Sequence, residues 1–172
     1  MTSILKVSEI QDPTNSNTAL TIDASGNVTA GNLASPGHVI QVVNATSTTG
    51  VEVSGSTLYT AVNPSVTITP SSSSSKILIM HNAGGMVYSN PSEIRFKMFR
   101  NGTEILAINR YGYKDGTGQW APCPFAVTFL DSPATTSACT YTFMVAAGST
   151  GGQWRHGDQG GSASSIALEI AG

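Results

Sequence analysis

The chain has 172 residues, of which 40% are hydrophobic and only 10% charged, with a formal net charge of -2. That length predicts one domain with at most an appended arm, and the weak charge excludes the cationic field by which proteins hold nucleic acid or anionic lipid. So few charges suit a particle subunit or a stable oligomer better than a freely diffusing enzyme, whose surface carries more of them for solubility.

Residues 1–36 carry isolated apolar side chains, Ile4, Leu5, Val7, Ile10, Leu20 and Ile22 among them, between turn formers such as Asp12-Pro13, Asn15-Ser16-Asn17 and Ser25-Gly26-Asn27. Such pieces can form strands of about three to five residues but cannot close a core. They predict an extended arm that orders against another chain or another protein, with those six apolar side chains as its anchors, plain disorder being the alternative. From residue 37 the apolar pattern turns to period two, and strands are predicted at 38–43, 58–62, 66–69, 76–81, 93–100, 104–109, 125–130, 140–147 and 165–170. Between two of them the serines at 71–75 follow Pro70 and precede a strong strand, so they read as a tight loop. Asn101-Gly102 is the strongest hairpin signal, because both residues accept the positive φ of a type I′ turn. Pairing Arg100 with Thr103 then sets Met98 opposite Ile105 and Phe96 opposite Ala107. No stretch keeps helical spacing free of Gly, Pro or β-branched interruption. The expected fold is all-β: an antiparallel β-sandwich, most simply a jelly roll, over 37–172, preceded by the extended arm.

Chemistry-bearing motifs are sparse. No serine elbow, H-E-x-x-H, C-x-x-C or phosphate loop is present. Gly116 to Ala121 fits a dinucleotide fingerprint in letters only, since Pro122 and Pro124 forbid the helix it needs. His156-Gly157-Asp158 lacks a third metal ligand. Cys123 and Cys139 read as reduced, partly buried thiols, or as a pair if neighbouring strands set them opposite each other, and His38 and His81 as strand-end groups bridging backbone. The expectation is therefore no enzyme, no cofactor and no metal. The opening residues lack the basic and apolar regions of a secretory signal, and the longest strongly apolar run, 77–80, is too short to span a bilayer. A soluble protein made in a cytoplasm, without membrane insertion, is expected.

Two Gly-rich segments rise above this background. One holds Tyr111, Tyr113 and Trp120; the other holds Trp154, Arg155, His156 and Asp158. Aromatic faces beside hydrogen-bonding groups are what a sugar or a protein edge needs, so these seven are candidate receptor or glycan contacts. The rings have an alternative use as lids folded over the ends of the sandwich.

The opening from Ser3 to Ile22 with Ser25-Gly-Asn-Val28, the stretches from Gly37 to Val43, Thr67 to Ser71 and Ser75 to Ile79, Asp131 to Ser137, and the closing run from Ile166 to Gly172 resemble structural proteins of tailed bacteriophages, especially those of marine and cyanobacterial hosts. The resemblance spans most of the chain. It implies a virion component of tail-fibre or head-decoration type, built as a homotrimer of tumour-necrosis-factor-like or related jelly rolls. Its implied partners are other copies and other capsid or tail proteins, to which the aromatic segments add a host-surface glycan. A carbohydrate-binding module or depolymerase on the same scaffold is the alternative. No catalytic residue carries over.

Overall fold

The structure is a computed structural model and describes residues 9–11, 18–26, 28–29, 36–54, 59–88, 92–114, 119–148, 152–157 and 162–172. Among the described residues every regular element is a β-strand. In the first segment, β1 (Glu9–Gln11), β2 (Thr18–Ile22) and β3 (Val28–Thr29) form a small antiparallel sheet of their own. The body then contains β4 (Val39–Ser47), β5 (Val51–Ser54), β6 (Thr60–Ile68), β7 (Lys76–Ala83), β8 (Gly85–Tyr88) and β9 (Ser92–Arg100). It continues with β10 (Thr103–Lys114), β11 (Trp120–Pro122), β12 (Phe125–Asp131), β13 (Cys139–Ala147), β14 (Gln153–His156) and β15 (Ala163–Ile170).

Three four-stranded sheets result, in the orders β10-β9-β13-β6, β12-β7-β15-β4 and β11-β8-β14-β5. The last two match column for column, because β4 leads into β5, β7 into β8, β11 into β12 and β14 into β15. They are one long sheet interrupted at a common level, at 48–50, at Gly84, at 123–124 and past His156. Hydrogen bonds from Cys123 N to Gly85 O and from Gly157 N to Gly84 O, both 2.8 Å, stitch that corner. A Cβ on Gly85 would stand 2.7 Å from the Cys123 carbonyl, so the close approach requires glycine there. With each interrupted pair counted once, the eight strands pair first with eighth, second with seventh, third with sixth and fourth with fifth. That is a long hairpin rolled up into two layers, the jelly roll.

Alternation builds the core between the layers. Ile94, Phe96 and Met98 of β9, Tyr141, Phe143 and Val145 of β13, Ile77 and Ile79 of β7, and Ala167 of β15 are all buried. The Asn101-Gly102 turn forms with φ of 47° and 83°, and Asn101 Nδ2 and Oδ1 clamp it to Ala138 O and Thr140 N. The expected hairpin register holds for two pairs, Arg100 with Thr103 and Phe99 with Glu104, and then fails. A bulge at Ile105 sets Met98 opposite Leu106 and Phe96 opposite Ile108. The extra residue turns Leu106 and Ile108 inward in place of Ala107 and Asn109, so the packed face gains two large apolar side chains.

The two strands expected around Pro64 are one, β6, bulged where Val66 faces Tyr141 and Val62 faces Phe143. Proline cannot donate to a ladder, so pairing skips it and the Asn63 and Pro64 carbonyls are left for side chains. The serine loop is fixed from within. Glu169, fully buried on β15, accepts hydrogen bonds from Ser71 N, Ser71 Oγ and Ser75 Oγ, each at 2.7 Å, and from Gln41 Nε2. Burial alone would raise this carboxyl, but the hydrogen bonds from Gln41, Ser71 and Ser75 outweigh it and hold the group at about 2. At one edge of the core Arg100 forks onto Asp131 at 2.7 and 2.9 Å, and the Tyr141 hydroxyl donates to the same carboxylate at 2.7 Å. Cys123 and Cys139 are both free thiols, and burial raises the pKa of each.

Candidate functional site

Of the expected contact residues, the structure brings Trp120 and Arg155 together and sends others elsewhere. In both Gly-rich segments the described residues include strands where loops were expected. Trp120 opens β11, Tyr111 and Tyr113 lie along β10, and Trp154, Arg155 and His156 form β14. Asp158 lies outside the described residues. On β14 the alternation points Gln153 and Arg155 outward and Trp154 and His156 inward. Trp154 and His156 are 0% exposed, so neither offers a face to a ligand. Four alternating residues between glycines were too short a signal to read as a strand.

The outer face of the short half-sheet is a polar and aromatic platform. Trp120 pairs across the ladder with Tyr88, Tyr88 with Gln153, and Arg155 with Glu52. The Trp120 and Tyr88 rings meet at 5.1 Å, and the Arg155 guanidinium lies 4.2 Å from the Trp120 ring centre. Arg155 Nε also donates to Glu52 at 2.8 Å. Held by a ring on one side and a carboxylate on the other, the guanidinium is pre-oriented, a cation–π contact of about 0.5–1 kcal/mol at such an open site. Beside it a shallow cleft of about 250 Å3 is lined by Gly50, Val51, Glu52, Arg155 and His156. Tyr88, Glu52 and Gln153 were missed in the sequence, although Val51-Glu52-Val53-Ser54 alternates visibly. Among the described residues no group of three or more His, Cys, Asp or Glu is placed to hold a metal ion.

Beneath the platform lies a buried imidazole pair. His81, expected at a strand end, instead sits inside β7 at 0% exposure, stacked on Phe143 at 4.1 Å and on His156 at 5.1 Å. Ser165 Oγ spends its proton on Pro64 O at 2.6 Å, so it accepts from His81 Nδ1 at 2.7 Å. His156 Nε2 donates to Asn63 O at 2.9 Å, since a carbonyl can only accept. Both tautomers are thereby fixed, leaving His81 Nε2 and His156 Nδ1 as bare lone pairs with no hydrogen-bond partner. A proton there would find no acceptor. Burial, then the neighbouring His156, lowers His81 from 6.5 to about 3, and burial lowers His156 to about 4 against the upward pull of Asn63.

The two layers present unlike outer faces. On β12-β7-β15-β4 the register aligns Val42, Leu168, Leu78 and Leu130 in one row across all four strands. Ile166 and Met80 extend the row on one side and Ile170 with Val39 on the other. Val42 is 59% exposed, Val39 48% and Leu130 47%, and among the outward residues of these strands Lys76 alone is charged. The outer face of β10-β9-β13-β6 instead carries Glu93, Arg95, Lys97 and Glu104, with Thr67, Thr140 and Thr142 around Phe99 and Met144. Its charges pair, Lys97 with Glu104 at 2.6 Å and Arg95 with Glu93. Exposed pairs of this kind add little stability but keep a surface wet.

The arm residues are partly described. Ile10 on β1 is 46% exposed and pairs with Leu20 of β2 in the backbone ladder, Ile22 ends β2 half-buried, and Ile4, Leu5 and Val7 lie outside the described residues. The body begins where Gly37 N donates to Ala171 O and Ala171 N to His38 O, at 2.8 and 2.9 Å.

No known protein family matches the chain. No curated protein matches it either. Among solved structures it is similar to the infectious bursal disease virus VP2 subviral particle, at 13% identity and a TM-score of 0.44 over 98% of this chain and 37% of that one. It is also similar to the structure of the Gx strain of that virus, at 12% identity and a TM-score of 0.40 over 78% of this chain and 33% of that one. The chain spans about a third of the length of these solved chains.

Proposed function

We propose that the chain is a structural subunit of a virus particle, a trimeric fibre or decoration protein of the tailed-phage type. In this reading residues 1–36 attach it to neighbouring virion proteins and the sandwich from 37 onward is displayed. The observation that carries the reading is the polarity of the long sheet. The arm enters beside the C-terminal strand, at the Gly37 and Ala171 hydrogen bond, while the Trp120, Arg155 and Tyr88 platform occupies the far end of the same strand columns. An anchor at one end and a contact surface at the other are what a projecting subunit needs. Joined copies also hold a particle by several arms at once, so each weak arm acts at high effective concentration. The sparse apolar residues of the arm, Ile4, Leu5, Val7, Ile10, Leu20 and Ile22, fit docking along a partner rather than closing a core.

Deleting residues 1–30 is expected to leave a folded body, since among the described residues the core cluster and the side chains packed on it begin at Val43, while abolishing its incorporation into particles. Co-purification of tagged chains with assembled particles measures this. Normal incorporation of the truncated chain would overturn the anchoring role.

A second reading, carbohydrate binding or depolymerisation, is favoured by the platform itself. A glycan array is expected to report saturable binding that weakens about two- to fivefold in Trp120→Ala and Arg155→Ala, the loss of about one cation–π contact. Release of reducing ends would mark a depolymerase, and silence in both assays leaves the structural reading alone.

A further inference from the structure

We infer that the apolar outer face of β12-β7-β15-β4 is covered by a second copy of this chain. This deepens the proposed reading, in which copies associate, by naming the surface that joins them. The row Val42, Leu168, Leu78 and Leu130 runs unbroken from one edge strand to the other, so it is a property of the whole sheet and not of one exposed residue. Four strands at about 4.8 Å and five residues at about 3.3 Å span about 300 Å2 of mostly apolar surface, a suitable centre for an interface of about 800 Å2 per partner.

Charge selects the occupant. With Lys76 alone among the outward residues, the face offers no pattern for an acidic or basic partner to read. What it matches is another surface equally free of charge, and the chain's opposite outer face, with Glu93, Arg95, Lys97 and Glu104, is not one. The same face on another copy is. Burial of this face against other copies leaves the charged layer in water.

Sedimentation of the full chain tests this, with Val42→Glu and Leu78→Glu on the face and Ser65→Glu on the other layer as control. The wild type and Ser65→Glu are expected to form a discrete oligomer at about 20 µM. Each face variant should weaken association at least about 100-fold, because a carboxylate would be buried without a partner. Val42 stands on an edge strand with 59% exposure, so Val42→Glu leaves the core untouched. An unchanged β-sheet circular dichroism spectrum confirms that the variant is folded. A monomeric wild type, or an oligomer that survives both face variants, would overturn the inference. So would an oligomer that needs residues 1–30 and ignores the face. None of these outcomes alters the particle-incorporation test, which judges the anchoring reading separately.

Discussion

Acidification from about pH 8 to about pH 5 is expected to remove about 4 kcal/mol of folding stability. Both buried imidazoles have folded pKa values below the ordinary 6.5, His81 at about 3 and His156 at about 4. Above pH 6.5 neither state binds a proton at these positions, and stability is level. Below it the unfolded chain takes up protons that the folded chain refuses, so stability falls with pH until the folded values are reached. At pH 5 each histidine contributes about 2.303RT times 1.5, or about 2 kcal/mol. The size depends only on both rings staying neutral in the fold, which the fixed tautomers enforce: neither bare nitrogen has an acceptor within reach for an added proton. The rings around them, Phe125, Phe143 and Trp154, carry no charge to help. Below pH 4.5 Glu169 adds to the loss, since its folded value of about 2 lies under the ordinary one. Urea melts at intervals of about one pH unit measure the slope. Replacing either histidine by glutamine should halve it, and a level stability from pH 8 to 5 would refute the account. Against a typical total of about 5–15 kcal/mol, the predicted loss is large.

Trp154→Ala is expected to cost about 3–5 kcal/mol, the range for deleting a buried aromatic ring. The ring is 0% exposed, packs on Phe125 at 5.8 Å and His156 at 5.0 Å, and fills the space kept open by Gly85. Removing it leaves a cavity where the long sheet is interrupted, and neighbouring strands cannot collapse into it without breaking the Gly85 to Cys123 stitch. Trp154→Phe should cost less because it keeps most of the volume. Trp120→Ala, half-exposed on the outer face, should cost under about 1 kcal/mol. Denaturant midpoints distinguish them. Equal losses for Trp154→Ala and Trp120→Ala would place Trp154 outside the core after all.

Much of the fold was legible because alternation over seven or more residues is hard to mimic. Phe96, Met98, Tyr141, Phe143 and Val145 announce their inward face from sequence alone, and so does the Asn101-Gly102 turn. What escaped was shorter or non-local. The half-strands β5, β8, β11 and β14 have at most four residues each, too few for a period, and glycines beside them imitate loops. The bulge at Ile105 was invisible because it is decided across the sandwich, by which face gains Leu106 and Ile108. Burial of His81 and His156 was equally hidden. One nitrogen of each ring is satisfied, by Ser165 and by the Asn63 carbonyl, residues brought close only when β6, β7, β14 and β15 pack. The platform was half readable: Trp120 and Arg155 stood out, while Tyr88 and Glu52 join them only through cross-strand register.

The unlike outer faces are the claim on which association rests, and two methionines report on them. Met80 lies on the apolar face and Met144 on the charged one, both half-buried within a single chain. Brief peroxide oxidation of the native protein, read by mass spectrometry of its peptides, compares them directly. Met144 should oxidise while Met80 stays protected, and Val42→Glu should make Met80 as reactive as Met144. Equal oxidation of both in the native wild type would contradict the account.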